Sequence, residues 1–478
     1  MRKEKDFLGE ILIDDGALFG IHSQRAKENF PLTEAFSIQW YKALGLLKYA
    51  VYKCYESFSD SVQKKFSDNN PIELLKPEII IAMQDASLEI SEGKHYDQFI
   101  VPGLSGAAGT SINMNINEII TNRALEILGK MPGDYSLIDP VEHANVFQST
   151  NDVIPTALRI ASMTLLNDLE HGINDMRAEV ESLEAKYRDV LRPAYTQMQE
   201  AVPSSWGIFF SSFNDAFSRD WWRVSKVFER IKVVNIGGGA TGTSMAVPRY
   251  FVMNIINELR AATSLPLARG ENLNDATSNL DVWVEAHAIL KSLAVNLEKF
   301  ASDLRLMASD IHGTKILKIP ERQVGSSIMP GKVNPVISEF VISVSHQIYA
   351  NDSLISQLAG QGQMDLNAYI PLMGHRFLQS LDYLISALKS LKENMLSGLE
   401  IDEKLSHDIL MKSPVIATAL IPLIGYNKAA EISKYMRGNN LNIYEANEKL
   451  KLIDKKDLEK LLKPGNLLKQ GYSLNDLI

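Results

Sequence analysis

The chain has 478 residues, enough for two or three domains with their own cores, and its 45% apolar and 22% charged residues are those of an ordinary soluble globular protein. A formal net charge of −9 speaks against nucleic acid as a main partner, because neutralising phosphates needs a basic face, but leaves a small anionic substrate open. The single cysteine, Cys54, excludes an intramolecular disulfide and any multi-cysteine metal site.

The opening stretch, Met1–Gly16, is charged and lacks the apolar run of a signal peptide, and no window approaches the apolar length of a membrane span. A reducing, cytoplasmic setting is therefore expected. The first ~140 residues read as loops and short helices, punctuated by Pro31, Pro71, Pro77, Pro102 and Pro132. The pattern then changes. Residues from Asp152 to about Arg188 form one long helical stretch, with Pro155 tolerated in its first turn. Between Asp281 and Ser309, the residues Ala286, Leu290, Leu293, Leu297, Phe300, Leu304 and Met307 alternate spacings of 4 and 3. That unbroken heptad stripe demands a long partner. Pro335–Leu358 and Tyr369–Leu396 read as further long helices, and no β-branched alternation of comparable length predicts a large sheet. The expected fold class is all-α, an extended bundle ending in a small domain of shorter helices over the last ~75 residues. Stripes this wide often continue across a subunit boundary, so an oligomer is expected.

Four polar clusters carry candidate chemistry. Gly106–Asn115 runs small residues into Thr110, Ser111 and Asn113 at a helix start, a natural anion site in which simple capping would use only one residue. Gln148–Asp152 precedes the long helix and includes Ser149, Thr150 and Asn151, any one of which could be its cap. Thr196–Pro203 places Thr196 and Gln197 on a linker between helices, weak evidence alone. The fourth, Gly325–Pro335, packs Ser326, Ser327, Lys332 and Asn334 between glycines and prolines, and Ile328, Met329 and Val333 make it too apolar for a purely solvated turn. Lys332 follows Ser326 closely enough to share a pocket with it. The nine histidines show no ligand-like His-x-x-x-His pairing, and Gly237–Gly242 lacks the Lys-Ser/Thr ending of a nucleotide loop.

The Gly325–Pro335 run resembles the signature of the fumarase/aspartase superfamily almost letter for letter. The similarity continues in order through Glu4–Glu10, Arg25–Pro31, Gly109–Glu118, Gln148–Thr156, Asp275–Asn279 and Ile424–Ala430, and is greatest to the aspartate ammonia-lyases. The resemblance implies a three-domain helical fold with a long central bundle, divided at residues 1–146, 147–402 and 403–478. It also implies a homotetramer whose active sites are shared between chains, and elimination from a succinyl unit to give fumarate with no metal or organic cofactor. Ser326 matches the general base that removes the C3 proton, and Lys332 the nearby cation. Thr110, Ser111, Asn113, Ser149, Thr150, Asn151, Thr196, Gln197 and Asn334 match substrate-binding positions, under a loop that closes over the substrate.

Departures within the resemblance bear on the leaving group. Gln197 stands where fumarases carry a histidine paired with an acid matching Glu339, and glutamine cannot donate a proton in that way. Ammonia arrives already protonated as ammonium, so Gln197, with Ala108 in place of a fumarase-type serine, leans toward C–N cleavage of L-aspartate. A fumarase, a lyase of a modified aspartate and an inert member of the fold are the other readings.

Overall fold

The computed structural model describes residues 1–67 and 70–474. An antiparallel ribbon, β1 (Arg2–Asp6) with β2 (Gly9–Ile13), leads into α1 (Ile21–Asn29). Next come α2 (Ile38–Phe66), α3 (Pro77–Ser91), α4 (Thr110–Ile127) and α5 (Thr150–Lys186). A second antiparallel ribbon, β3 (Leu191–Thr196) with β4 (Gln199–Ser205), precedes α6 (Trp206–Ile231). β5 (Val233–Val234) and β6 (Ala268–Arg269) pair in parallel around α7 (Arg249–Thr263). After α8 (Leu273–Ser278) and α9 (Asp281–Met307), β7 (Leu317–Lys318) precedes α10 (Val336–Ala359) and α11 (Ile370–Asn394). β7 pairs with β8 (Glu400–Ile401), and the chain closes with α12 (Glu403–Lys412), α13 (Ile421–Asn439), α14 (Ile443–Leu450), α15 (Lys455–Leu461) and α16 (Pro464–Leu467). The fold is mainly helical, as expected, with only two-stranded ribbons among the described residues.

Two compact units share these elements. The first holds Met1–Glu170, Arg223–Ser292 and His346–Leu384; the second holds His171–Trp222, Leu293–Ser345 and Ile385–Ile478. The division falls inside α5, α6, α9, α10 and α11, so each unit contains part of every one of these long helices.

In the first unit, α2 is a 29-residue helix where the sequence suggested short pieces. Trp40, Leu44, Leu47, Val51, Tyr55, Phe58 and Val62 form its buried stripe, which interspersed Lys, Tyr and Ser obscure in the sequence. Gly45 lets α3 approach closely, since a Cβ there would lie 2.5 Å from the Ser91 nitrogen and 2.8 Å from the Ser87 oxygen. The upper part of the α9 stripe, Ala286 and Leu290, is fully buried, and Trp283 beside it stacks edge-on against Phe377 of α11 at 4.9 Å.

In the second unit, the rest of the stripe is equally enclosed. Phe300 meets Phe213 of α6 at 4.4 Å and Phe217 at 5.8 Å, and Leu293, Leu297 and Leu304 are wholly buried. The stripe therefore finds its partner inside one chain, so it does not by itself require a second subunit. The C-terminal helices enclose a separate core around Leu410, Ile416, Leu420, Ile432, Met436 and Leu458.

One expectation needs correction. Pro414–Asn439, with a mean hydropathy of 1.2, is long and apolar enough by length and composition to cross a membrane, contrary to the expectation of no such window. Its helix is broken at Gly425, whose φ of 77° is left-handed, and Ile416, Leu420, Ile432 and Met436 pack in the C-terminal core, while most of the apolar window stays only partly buried.

Candidate functional site

Within the first unit, the starts of α4 and α5 converge with the glycine-rich segment after β5. α4 begins on Gly109, in a left-handed conformation with φ 92°, and no side chain caps it. Thr110 and Ser111 thus remain at the helix start, where the helix dipole favours an anion although the Thr110 N–H is bonded to the Ala107 carbonyl, and neither hydroxyl makes a hydrogen bond within the described residues.

The other polar residues of α4 are occupied with holding the fold. Asn115 Oδ1 accepts the N–H groups of Ile100 and Val101 at 2.8 and 3.3 Å. Glu118 accepts those of Gly20, His22 and Ser23 at the start of α1. Asn113 is buried, and its Nδ2 donates to Asn145 Oδ1 at 2.9 Å and to Thr150 Oγ1 at 3.3 Å, tying the two predicted clusters together. The surplus of polar groups at this helix start is therefore largely structural.

At the α5 start, Ser149 acts as the cap. Its Oγ accepts the Asn151 N–H at 3.3 Å, while its own N–H donates to Asp152 Oδ1 at 2.9 Å. The Asn151 side chain donates to the Ala240 carbonyl at 2.8 Å. Pro155 is the sixth residue of α5, beyond the turn in which proline is tolerated freely, and cannot donate to the Asn151 carbonyl. The Asn235 side chain does so instead, at 2.9 Å.

In the second unit, Gly325–Pro335 folds back on itself. Val324 and Val333 form a bridge, Gly325 N–H donates to the Lys332 carbonyl at 2.8 Å, and Ser326 and Lys332 lie on opposing limbs. Half-buried Ser326 accepts the N–H groups of Ile328 and Met329 on its Oγ at 3.2 and 2.9 Å. Two amides aimed at one oxygen would stabilise negative charge there. The Lys332 side chain is exposed. Asn334 spends its Nδ2 on the Gly325 carbonyl at 2.8 Å, closing the loop. Glu339, early in α10, pairs with Arg305 at 3.2 Å.

Thr196 and Gln197 lie on a β-hairpin and not on the plain linker expected from the sequence. Gln197 and Met198 form its turn with φ of 52° and 63°, and Thr196, Gln197 and Met198 are all exposed. The hairpin is anchored by the Ser413 hydroxyl on Glu200 and by Ser406, which accepts from Trp206 Nε1 at 2.9 Å and donates to the Leu191 carbonyl at 2.7 Å. Among the described residues, no hydrogen bond joins this turn to the Ser326 loop.

Residues 9–350 match the model of a protein family described as Lyase, and residues 416–469 that of the Fumarase C C-terminus. The chain belongs to the lyase family. The match is nearly end to end with curated relatives. Aspartate ammonia-lyase of Bacillus subtilis is 35% identical over 100% of this chain and 98% of its own length. Aspartate ammonia-lyase of Helicobacter pylori is 34% identical over 98% of each. Among solved structures, fumarate lyase:delta crystallin from Brucella melitensis bound to cobalt is 35% identical, with a TM-score of 0.89 over 97% of this chain and 98% of that one.

Two buried charges of this lyase stand behind these clusters: Lys48, which none of the four contains, and Asp152, the last residue of the Gln148–Asp152 cluster. Lys48 on α2 is fully enclosed and donates to Asn117 Oδ1 at 2.6 Å and Gln148 Oε1 at 2.7 Å. Asp152 is equally enclosed and accepts the N–H groups of Gly237 and Gly239 at 3.2 and 2.9 Å, pinning the glycine-rich segment to the α5 start. Burial pushes Lys48 down to about 7 and the Asp152 carboxyl up to about 7, while each charge partly offsets the other's shift. The signal for Lys48 was a lysine on the apolar stripe of α2, between Leu47 and Val51.

Proposed function

We propose that this lyase is an aspartate ammonia-lyase, converting L-aspartate reversibly to fumarate and ammonia. The observation that carries the reading is the Ser326 hydroxyl held by the Ile328 and Met329 amides, in a chain matched along its whole length by relatives named aspartate ammonia-lyase. Ser326, as its alkoxide, takes the C3 proton of the substrate, and its two amide donors favour the anionic oxygen that does so. Charge gathers on the adjacent carboxylate as an enediolate. The C2–N bond then breaks, its electron pair leaves with nitrogen as ammonia, and the C2–C3 double bond forms.

Because the amine enters protonated, no acid is needed for its departure, which agrees with Gln197 in the hairpin turn. Thr110, Ser111, Thr150 and the Oδ1 of Asn151, whose Nδ2 is engaged with the Ala240 carbonyl, hold the substrate's polar groups, and Lys332 neutralises a carboxylate. Asn113, Ser149 and Asn334, occupied by hydrogen bonds within the chain, orient these groups. The proposal includes a homotetramer with shared sites, consistent with exposed Ile208, Val295 and Phe340 on α6, α9 and α10. It also includes a reducing compartment, consistent with the buried, unpaired Cys54.

The test follows fumarate by its ultraviolet absorbance, with L-aspartate and then L-malate as substrate. A rise with aspartate is expected. A rise with malate alone, or with neither, overturns the reading.

A further inference from the structure

The second unit contains a cavity of about 450 Å³ beneath the β3–β4 hairpin, walled by that hairpin, α6, α9 and the segment after α9. Its volume is within the range of small-molecule sites. Phe209, Phe213, Leu306 and Met307 make much of its wall apolar, while Arg192 and the paired Lys299 and Asp303 supply charges.

The Arg192 guanidinium lies 5.0 Å from the Trp206 ring and 5.1 Å from the Phe209 ring. Its Nε is buried with no hydrogen-bond partner, and Nη1 has only the Met307 sulfur at 3.9 Å. Among the described residues it forms no ion pair. Asp303, the carboxylate whose charge acts on it, is engaged with Lys299 at 2.6 Å. Burial lowers the Arg192 pKa to about 10, which still leaves it a cation at neutral pH. Tyr195 and His312 also line the cavity, with ring centroids 5.2 Å apart, and add polar edges to its walls.

A half-buried cation among aromatic rings, its Nε without a partner and its Nη1 held only by a thioether sulfur, is stabilised by an anion that joins it. A ligand that satisfies both features of the cavity carries one carboxylate and an apolar body. L-Aspartate and fumarate lack that body. We propose that this cavity is a second, non-catalytic binding site for a small monocarboxylate with an aromatic or branched apolar group, its carboxylate on the Arg192 guanidinium. Tyr195 and Met198 both line the cavity and bracket Thr196 and Gln197 in sequence, so an occupant touches the residues that carry the hairpin turn. The inference does not depend on the proposed reaction.

Isothermal titration calorimetry of the full chain with hydrocinnamate and its neutral amide tests it. Hydrocinnamate should bind once per chain, with the amide and the Arg192→Gln variant each weakening binding by roughly tenfold or more, the scale of a charge-assisted hydrogen bond. Leu306→Trp, at a partly exposed wall position, should block binding without touching the guanidinium, and excess fumarate should leave hydrocinnamate binding unchanged. Equal binding of acid and amide, persistence in Leu306→Trp, displacement by fumarate or no binding at all would each overturn the proposal.

Discussion

The Asn235 side-chain amide donates at 2.9 Å to the Asn151 carbonyl, the acceptor that Pro155 cannot serve. Asn235 also bonds Thr277 Oγ1 at 3.0 Å and is almost wholly buried, so it joins the α5 start to α8. Asn235→Ala should destabilise the chain by about 1–3 kcal/mol for the buried acceptor it abandons. Adding Pro155→Ala should restore part of that loss, because an alanine N–H can reach the Asn151 carbonyl. Urea denaturation of the single and double variants measures both effects. A double variant no more stable than Asn235→Ala would show that the amide does not substitute for the missing N–H.

Ser326 tests the chemistry with little demand on the core. Its Oγ accepts two loop amides but is only half-buried, so Ser326→Ala should leave the melting temperature close to that of the parent. Its kcat should fall by about 10²–10⁴, the usual range for a general base. Steady-state fumarate production together with a thermal melt gives both readouts. Full activity in the variant would remove Ser326 from the base role.

Gly325 separates loop shape from chemistry. A Cβ at this position would lie 2.6 Å from the Asn334 nitrogen and 2.8 Å from the Lys332 oxygen, inside the contacts that close the two limbs. Gly325→Ala should therefore displace Ser326 relative to Lys332 while leaving the helical cores intact. A displacement near 1 Å costs roughly 10²-fold in turnover. Circular dichroism should be unchanged and fumarate production reduced. Unchanged kcat would mean that the loop tolerates the shift.

What the sequence revealed depended on how local each signal was. The α9 stripe and the extent of α5 were readable because their spacing lies within one helix, and the Ser326 loop because its groups fall in one short run. The hairpin carrying Gln197 was hidden. Pro193 and Pro203 argue against strands, and its turn uses Gln197 and Met198 at positive φ in place of the usual Asn-Gly. The roles of the α4 amides were equally hidden. Asn115 and a substrate-binding asparagine look alike until Ile100 and Val101 are found against the former. Lys48 and Asp152 stand far apart in sequence, so their shared burial appears only in the fold.

The Glu89 carboxylate gives a pH signature. It accepts Arg123 Nε at 2.7 Å and Nη2 at 2.9 Å, and His95 lies 2.7 Å away. These partners, Arg123 foremost, hold its pKa down to about 2. The folded chain therefore binds fewer protons here than the unfolded one between the ordinary carboxylate pKa and about 2. The stabilisation is complete above the unfolded pKa and is lost as pH falls through that window. Parent protein and Glu89→Gln should differ most in urea stability near neutral pH and converge as the solution is acidified toward about 2. A difference that stays constant across that range would show that the carboxylate's charge contributes nothing to the fold.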